Sequence, residues 1–206
     1  IQTFRIDQFS CEGCGVCEHI CSFDAIRTKQ NVVGKWFVSG TDYGPMVHAR
    51  LGIAEENSGR LVTQVRNVAS DLAKNLRKGL ILSDGPPGTG CPVIASVGGA
   101  DMVLIVTEPT VSGVHDMQRV LELAAHFRIP SLIVVNKADL NAEQTQRIKT
   151  IASEMGSTVI SEIPFDPNVN DALMAVKTVI EYGKGPAFSA IVRLWGNLET
   201  ILKKGV

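Results

Sequence analysis

From Gly79 onward, short apolar runs alternate with longer amphipathic stretches. The runs are LILS (80–83), MVLIVT (102–107), SLIVVN (131–136) and TVISEI (158–163). The middle two are continuously apolar, as expected of parallel strands covered on both faces. Between and after them, VHDMQRVLELAAHF (114–127), AEQTQRIKTIASEM (142–155), NVNDALMAV and AFSAIVRLWGNLETILKK carry helical spacing. Upstream, RLVTQVRNVASDLAKNLRKG places Leu61, Val62, Val65, Val68, Ala69, Leu72 and Leu76 on one stripe, which predicts a helix stopping at Gly79. Residues 31–45, NVVGKWFVSGTDYGP, are Gly-punctuated and aromatic and read as a short hairpin or linker, and EENSG after them as a loop. Strand and helix in this order predict an α/β fold with a parallel sheet and right-handed crossovers.

Composition narrows the class. The chain has 206 residues, enough for one domain or a domain plus a small module. A net charge of −1 gives no general attraction to nucleic acid or anionic lipid. No apolar run reaches the roughly 18 residues of a membrane span. The start, IQTFRIDQFS, does not resemble a secretory signal. Its first residue is Ile rather than Met, which suggests a fragment or a processed chain.

Four of the five cysteines crowd into CEGCGVCEHIC, where Cys11, Cys14, Cys17 and Cys21 are spaced C-x2-C-x2-C-x3-C. Thiolates are soft ligands suited to iron. Two-residue gaps let a loop wrap three of them around one cluster, with Gly13 and Gly15 permitting close backbone approach. This is the spacing of bacterial-type ferredoxins, and it predicts a 4Fe–4S cluster in a reducing cytoplasm. The alternative is zinc or free thiols, although zinc ligands usually arrive as separated pairs or with histidines. In two-cluster ferredoxins the fourth cysteine of a run serves the other cluster. Cys21 therefore either closes a single cluster or reaches toward a second one. Ser22 stands where a proline usually follows. His19, inside the loop, reads as solvent-facing.

A second kind of chemistry collects where the expected strands end. Those ends are Asp84, then Thr107-Glu108-Pro109, then Asn136, then Pro164-Phe165-Asp166. In open parallel sheets, ligands bind at that rim. Asp84 can hold a magnesium-bound water, because Mg2+ keeps most of its waters and takes few carboxylates. The Gly88 N–H can approach a phosphate, and Asn136 offers a donor and an acceptor to a purine edge. Each residue has a plainer reading. Asp84 can be a cap or turn residue, Asn136 a strand-end turn, and Gly88 punctuation. Cys91 reads as a small buried residue, His115 and Asp116 as the cap of a helix, and His48 and His126 as structural or surface residues.

LILSDGPPGTGCPVIAS, VLIVTEPTVSGVHDMQRVLELA, IVVNKADLN and IPFD together resemble the MinD/ParA-type P-loop ATPases. The resemblance is closest to the branch with an inserted ferredoxin domain, akin to the nitrogenase iron protein and related iron–sulfur carrier ATPases, and it covers nearly the whole chain. It implies a P-loop NTPase-like parallel sheet and a ferredoxin-like module, divided as residues 1–45 and 46–206. It also implies ATP with Mg2+, Asp84 at the magnesium shell, and Pro86 and Gly88 in the phosphate-side loop. Asn136 would meet adenine, and Pro164 and Asp166 the base and ribose. No G-x-x-x-x-G-K-S/T occurs, since Gly34-Lys35 precedes Trp36 and Gly183-Lys184 precedes Gly185. The first strand, the phosphate loop and the switch carboxylate are thus expected upstream, with the chain starting between two ferredoxin motifs. Asn136-Lys137-Ala138-Asp139 also matches the guanine-reading N-K-x-D of GTPases, which leaves GTP as an alternative.

Two functional classes follow. One is an ATPase coupling nucleotide switching to an iron–sulfur centre, working as a homodimer with a redox or cluster-accepting partner. The other is a ferredoxin-type carrier or interaction protein on a degenerate nucleotide scaffold, without ATPase activity. Neither requires nucleic acid or a membrane span.

Overall fold

A computed structural model of the chain describes residues 6–7, 11, 14–29, 32, 34–52 and 59–204. Two compact units divide it, Ile1–Ile81 and Leu82–Val206.

In the first unit, α1 (Val16–Ile20) follows Gly15, whose φ of 73° opens the turn. An antiparallel hairpin comes next, β1 (Gly34–Thr41) and β2 (Gly44–Leu51), registered from Gly34↔Leu51 to Thr41↔Gly44. The expected hairpin is present, and its second strand runs past Pro45 to Leu51, further than the 31–45 pattern indicates. Gly44, at φ 129°, makes the tight reversal that a side chain would resist. The amphipathic stripe forms the predicted helix as α2 (Arg60–Asn75), which ends before the expected stop at Gly79 because Leu76 caps it and Arg77 turns left-handed at φ 53°. A Cβ on Gly34 would lie 3.2 Å from Leu61 Cδ2, so the helix packs closely on that face of the hairpin.

The second unit is α/β. Its parallel sheet has the order β3 (Val103–Thr107), β4 (Ser131–Asn136), β5 (Thr158–Ile163). Helices α4 (Val111–His126) and α5 (Ala142–Glu154) form the crossovers. α3 (Cys91–Val97) precedes β3, and α6 (Asn168–Met174), α7 (Val179–Tyr182) and α8 (Gly185–Lys204) follow β5. Central β4 explains its unbroken apolar run, since Ile133, Val134 and Val135 are all fully buried. Around them Ile105, Val114, Met117, Leu121, Ile148 and Ala152 form the core. β3 is an edge among the described residues, with Ile105 7% but Val106 62% exposed.

LILS does not form the fourth expected strand. Residues 80–83 join no ladder, and Leu80, Ile81 and Leu82 stay 49%, 46% and 85% exposed. A strand exists only through a partner for its backbone groups. Bounded by Gly79 and the Gly85-Pro86-Pro87 turn, the run has an apolar pattern but no described neighbour to pair with.

Local chemistry sets the helix starts. Thr110 caps α4, its Oγ1 accepting from Gly113 N at 3.0 Å, so His115 and Asp116 lie in the second turn rather than capping. The reason is that Thr110 is extended at φ −121° and ends the β3 loop, whereas the two later residues are already helical. Asn141 caps α5 through Gln144 N at 3.0 Å.

Candidate functional site

Because β3, β4 and β5 are parallel, their carboxyl ends share one rim. That rim is stitched together. Glu108, after β3, places Oε1 2.7 Å from Lys137 Nζ, just after β4. Asn136 Nδ2 donates to the same oxygen at 3.5 Å. Lys137 adopts φ 53°, a left-handed conformation uncommon outside glycine and a sign of a constrained turn. Ala138 N donates to Ile163 O at 3.0 Å, and Phe165 N donates to Asp139 Oδ1 at 2.6 Å. All three strand tips are therefore linked through side chains or backbone. The Glu108–Lys137 pair was not singled out in the sequence, where its only trace is a carboxylate at a strand end.

Asp166 sits at this rim but turns its carboxylate to the protein. It is 4% exposed. Oδ2 accepts from Ala187 N at 3.0 Å, and Oδ1 accepts from Asn168 N at 2.9 Å and from its Nδ2 at 2.7 Å. The Ala187 N–H is the main cause of a carboxyl held below its usual range, with Asn168 adding to it against the opposing effect of burial. Asp166 thus anchors the starts of α6 and α8. Gly185, at φ 92°, leaves room for it, since a Cβ there would fall 2.1 Å from Oδ2.

Asp84, Pro86 and Gly88 belong to the segment before α3. Asp84 is exposed and makes no hydrogen bond or ion pair among the described residues, and Pro86 is half-buried. Gly88 has φ 87° with open space where a Cβ would stand. None of the three is hydrogen-bonded to the strand-tip residues among the described ones. Cys91, expected buried, is exposed as the first residue of α3. The Gly90 turn leaves that end of a short helix uncovered, and apolar packing falls instead to Val93 and Val97.

In the first unit Cys11, Cys14 and Cys17 are exposed free thiols, and Cys21 is half-buried and free. The backbone N–H groups of Phe23 and then Ala25 donate to the Cys21 sulfur and hold its thiol below the usual range. Thr28 Oγ1 donates to Glu18, which folds the segment after α1 back on itself. Four free thiols, one already receiving N–H donors, are a donor set that fits a thiolate-ligated cluster. Among the described residues no three His, Cys, Asp or Glu side chains converge as a metal site. Residues 8–10, 12 and 13, which belong to the motif or flank it, lie outside the described set. His19 is exposed, as expected.

A family model described as a 4Fe–4S binding domain matches residues 4–27. An uncharacterized protein of Methanocaldococcus jannaschii is 38% identical over 155 residues, covering 64% of this chain and 55% of that protein. An uncharacterized ATP-binding protein of the same organism is 25% identical over 121 residues, covering 58% of this chain and 46% of its own length. The chain thus spans about half the length of these curated relatives. Among solved structures, the MinD cell division protein of Aquifex aeolicus matches with a TM-score of 0.57 and 26% identity, covering 67% of this chain and 61% of that one. Taken with the parallel sheet and its strand order, these matches make the chain a MinD/ParA-like α/β protein that carries a 4Fe–4S binding domain.

Proposed function

We propose that the intact protein binds ATP and couples its nucleotide-dependent switching to a 4Fe–4S centre, for electron transfer or cluster handling. The observation that carries this reading is the presence in one chain of a 4Fe–4S binding domain and a MinD-like unit whose three strand tips are stitched into one rim. Cys11, Cys14, Cys17 and Cys21 would hold the cluster, which supplies one-electron chemistry when bound. Asn136 and Pro164 would flank the base. Asp166 would act through the position of its loop, because its oxygens already accept protein N–H groups. Exposed Asp84 is free to receive a water of the magnesium shell, with Pro86 and Gly88 shaping the phosphate side.

The geometry favours adenine over guanine. In the guanine-reading motif the aspartate accepts from two donors of the base, whereas Asp139 Oδ1 already accepts from Phe165 N and leaves only Oδ2 for that role. The resemblance further suggests a homodimer, a redox or cluster-accepting partner and a cytoplasmic location. No described helix is long and apolar enough to cross a membrane. The competing reading, a ferredoxin-type carrier on a degenerate nucleotide scaffold, draws on the lack of a phosphate-loop motif among these 206 residues.

Electron paramagnetic resonance of the full-length protein, reconstituted anaerobically, separates the two. MgATP should alter the spectrum or the midpoint potential of the reduced cluster, and MgGTP should do so far less. A cluster whose spectrum and potential ignore saturating MgATP supports the carrier reading instead.

A further inference from the structure

On the hairpin, Lys35 and Arg50 occupy directly opposed register positions. Opposed residues of an antiparallel pair lie on one face with their Cβ atoms about 5 Å apart, and like charges there destabilise the pair. Neither cation takes part in an ion pair among the described residues, and both are exposed. The strand alternation puts Phe37, Met46 and His48 on the same face. Phe37 stacks on His48, ring centroids 5.3 Å apart, and Ser39 Oγ lies 2.9 Å from His48 Nε2. Phe37 is 41% and Met46 48% exposed. Helix α2 meets Gly34, on the other face, so it does not cover this one. Where the hairpin ends at the Gly34–Leu51 pair, an open cleft of about 360 Å³ is lined by Lys35, Phe37 and Arg50 from this face together with Gly34 and Leu51 from the other.

A repulsive pair kept beside exposed apolar side chains is a local cost without a folding return, the pattern expected of a binding surface. We propose that this face docks an acidic surface of a partner protein, its carboxylates seated between Lys35 and Arg50 and its apolar contacts on Phe37 and Met46. The apolar side chains beside the two cations lie on an exposed hairpin rather than around an enclosed cavity, which favours a protein surface over a small ligand. Two cations on a chain of net charge −1 are too few for the phosphate track of a nucleic acid. The hairpin starts at Gly34, soon after the segment matched as a 4Fe–4S binding domain, residues 4–27. Small, charge-guided interfaces of this kind suit transient redox encounters.

The test uses the full chain and a fluorescein-labelled hexaglutamate peptide, followed by anisotropy across a salt series. Binding should weaken about tenfold in K35Q/R50Q, with a shallower salt dependence, and change less than about twofold in the charge-matched control R119Q/K177Q. K35E gives a sharper arm. It replaces a repulsive pair by an attractive one, so thermal stability should hold or rise while peptide binding is lost. Equal losses in both double variants would overturn the proposal, as would K35E binding the peptide normally. Inorganic phosphate competing as well as the peptide, or a dT12 oligonucleotide binding more tightly than the peptide, would also overturn it by assigning the face to another ligand.

Discussion

Asp139 Oδ1 accepts the backbone N–H of Phe165 at 2.6 Å, so the turn after β4 holds the turn after β5. Together with Ala138 N on Ile163 O, it makes the two loops one body. Asp139→Ala should therefore lower unfolding free energy by about 1 kcal/mol, the usual worth of such a bond. Asp139→Asn keeps an acceptor oxygen and should recover most of that loss. Urea denaturation of both variants checks this. A guanine-reading aspartate would behave differently, with nucleotide preference rather than stability changing on substitution.

The Asp166 carboxyl carries a pH signature. Its folded pKa lies below its ordinary value, chiefly because Ala187 N–H favours the ionised form. The unfolded value is about 3.9. The native state then binds fewer protons than the unfolded state in the interval between the two values. The stabilisation is complete above the unfolded pKa and disappears as pH falls through the depressed folded one. Wild type and Asp166→Asn should accordingly differ most in melting temperature near neutral pH and converge in acid. A gap that widens below pH 4 would contradict the assignment.

Gly185 is the counterpart of that anchor. It combines φ 92° with a Cβ position 2.1 Å from Asp166 Oδ2. Gly185→Ala has to strain the backbone and push aside a carboxylate held by three N–H donors. A loss of about 1–3 kcal/mol is expected, measured by urea unfolding. Gly196→Ala is the control, since a Cβ there meets nothing within 4 Å and the position is helical. It should hold or gain stability.

These residues show what was legible in the sequence. The run SLIVVN announced a central strand because burial on both faces leaves no polar position to interrupt it. The stripe from Leu61 to Leu76 announced α2 equally well, because helical periodicity is local. LILS has the same apolar character, yet a strand depends on a neighbour, and pairing is not written in the run itself. Asp166 looked like a ligand because a carboxylate at a strand end is visible in the sequence, whereas its partners at Asn168 and Ala187 are brought to it by folding. Cys91 looked buried because cysteine usually is, but the turn at Gly90 leaves it outside the core. The Lys35–Arg50 opposition needed the hairpin register, which follows from the position of the reversal at Gly44.

Hydrolysis gives a further check on the nucleotide reading. No glycine-rich loop with its lysine occurs in these 206 residues, so nothing here supplies the cradle of N–H groups and the cation that phosphoryl transfer needs. The chain by itself should show ATP turnover no faster than a buffer blank in a phosphate-release assay. Turnover at the 1–100 s⁻¹ scale, roughly that of phosphoryl-transfer enzymes, would mean that another part of this chain does the loop's work.

Metal loading tests the first unit independently of the nucleotide. Anaerobic reconstitution with iron and sulfide should give about four irons per chain if Cys11, Cys14, Cys17 and Cys21 close one cube. If Cys21 instead reaches toward a second cluster, loading should be substoichiometric and unstable, with the three other thiols left a ligand short. Cys21→Ser tells these cases apart. It should lower iron content and bleach the brown charge-transfer absorbance in the first case, and change little in the second. One tightly held zinc per chain, with no visible absorbance after reconstitution, would replace iron as the metal of this motif.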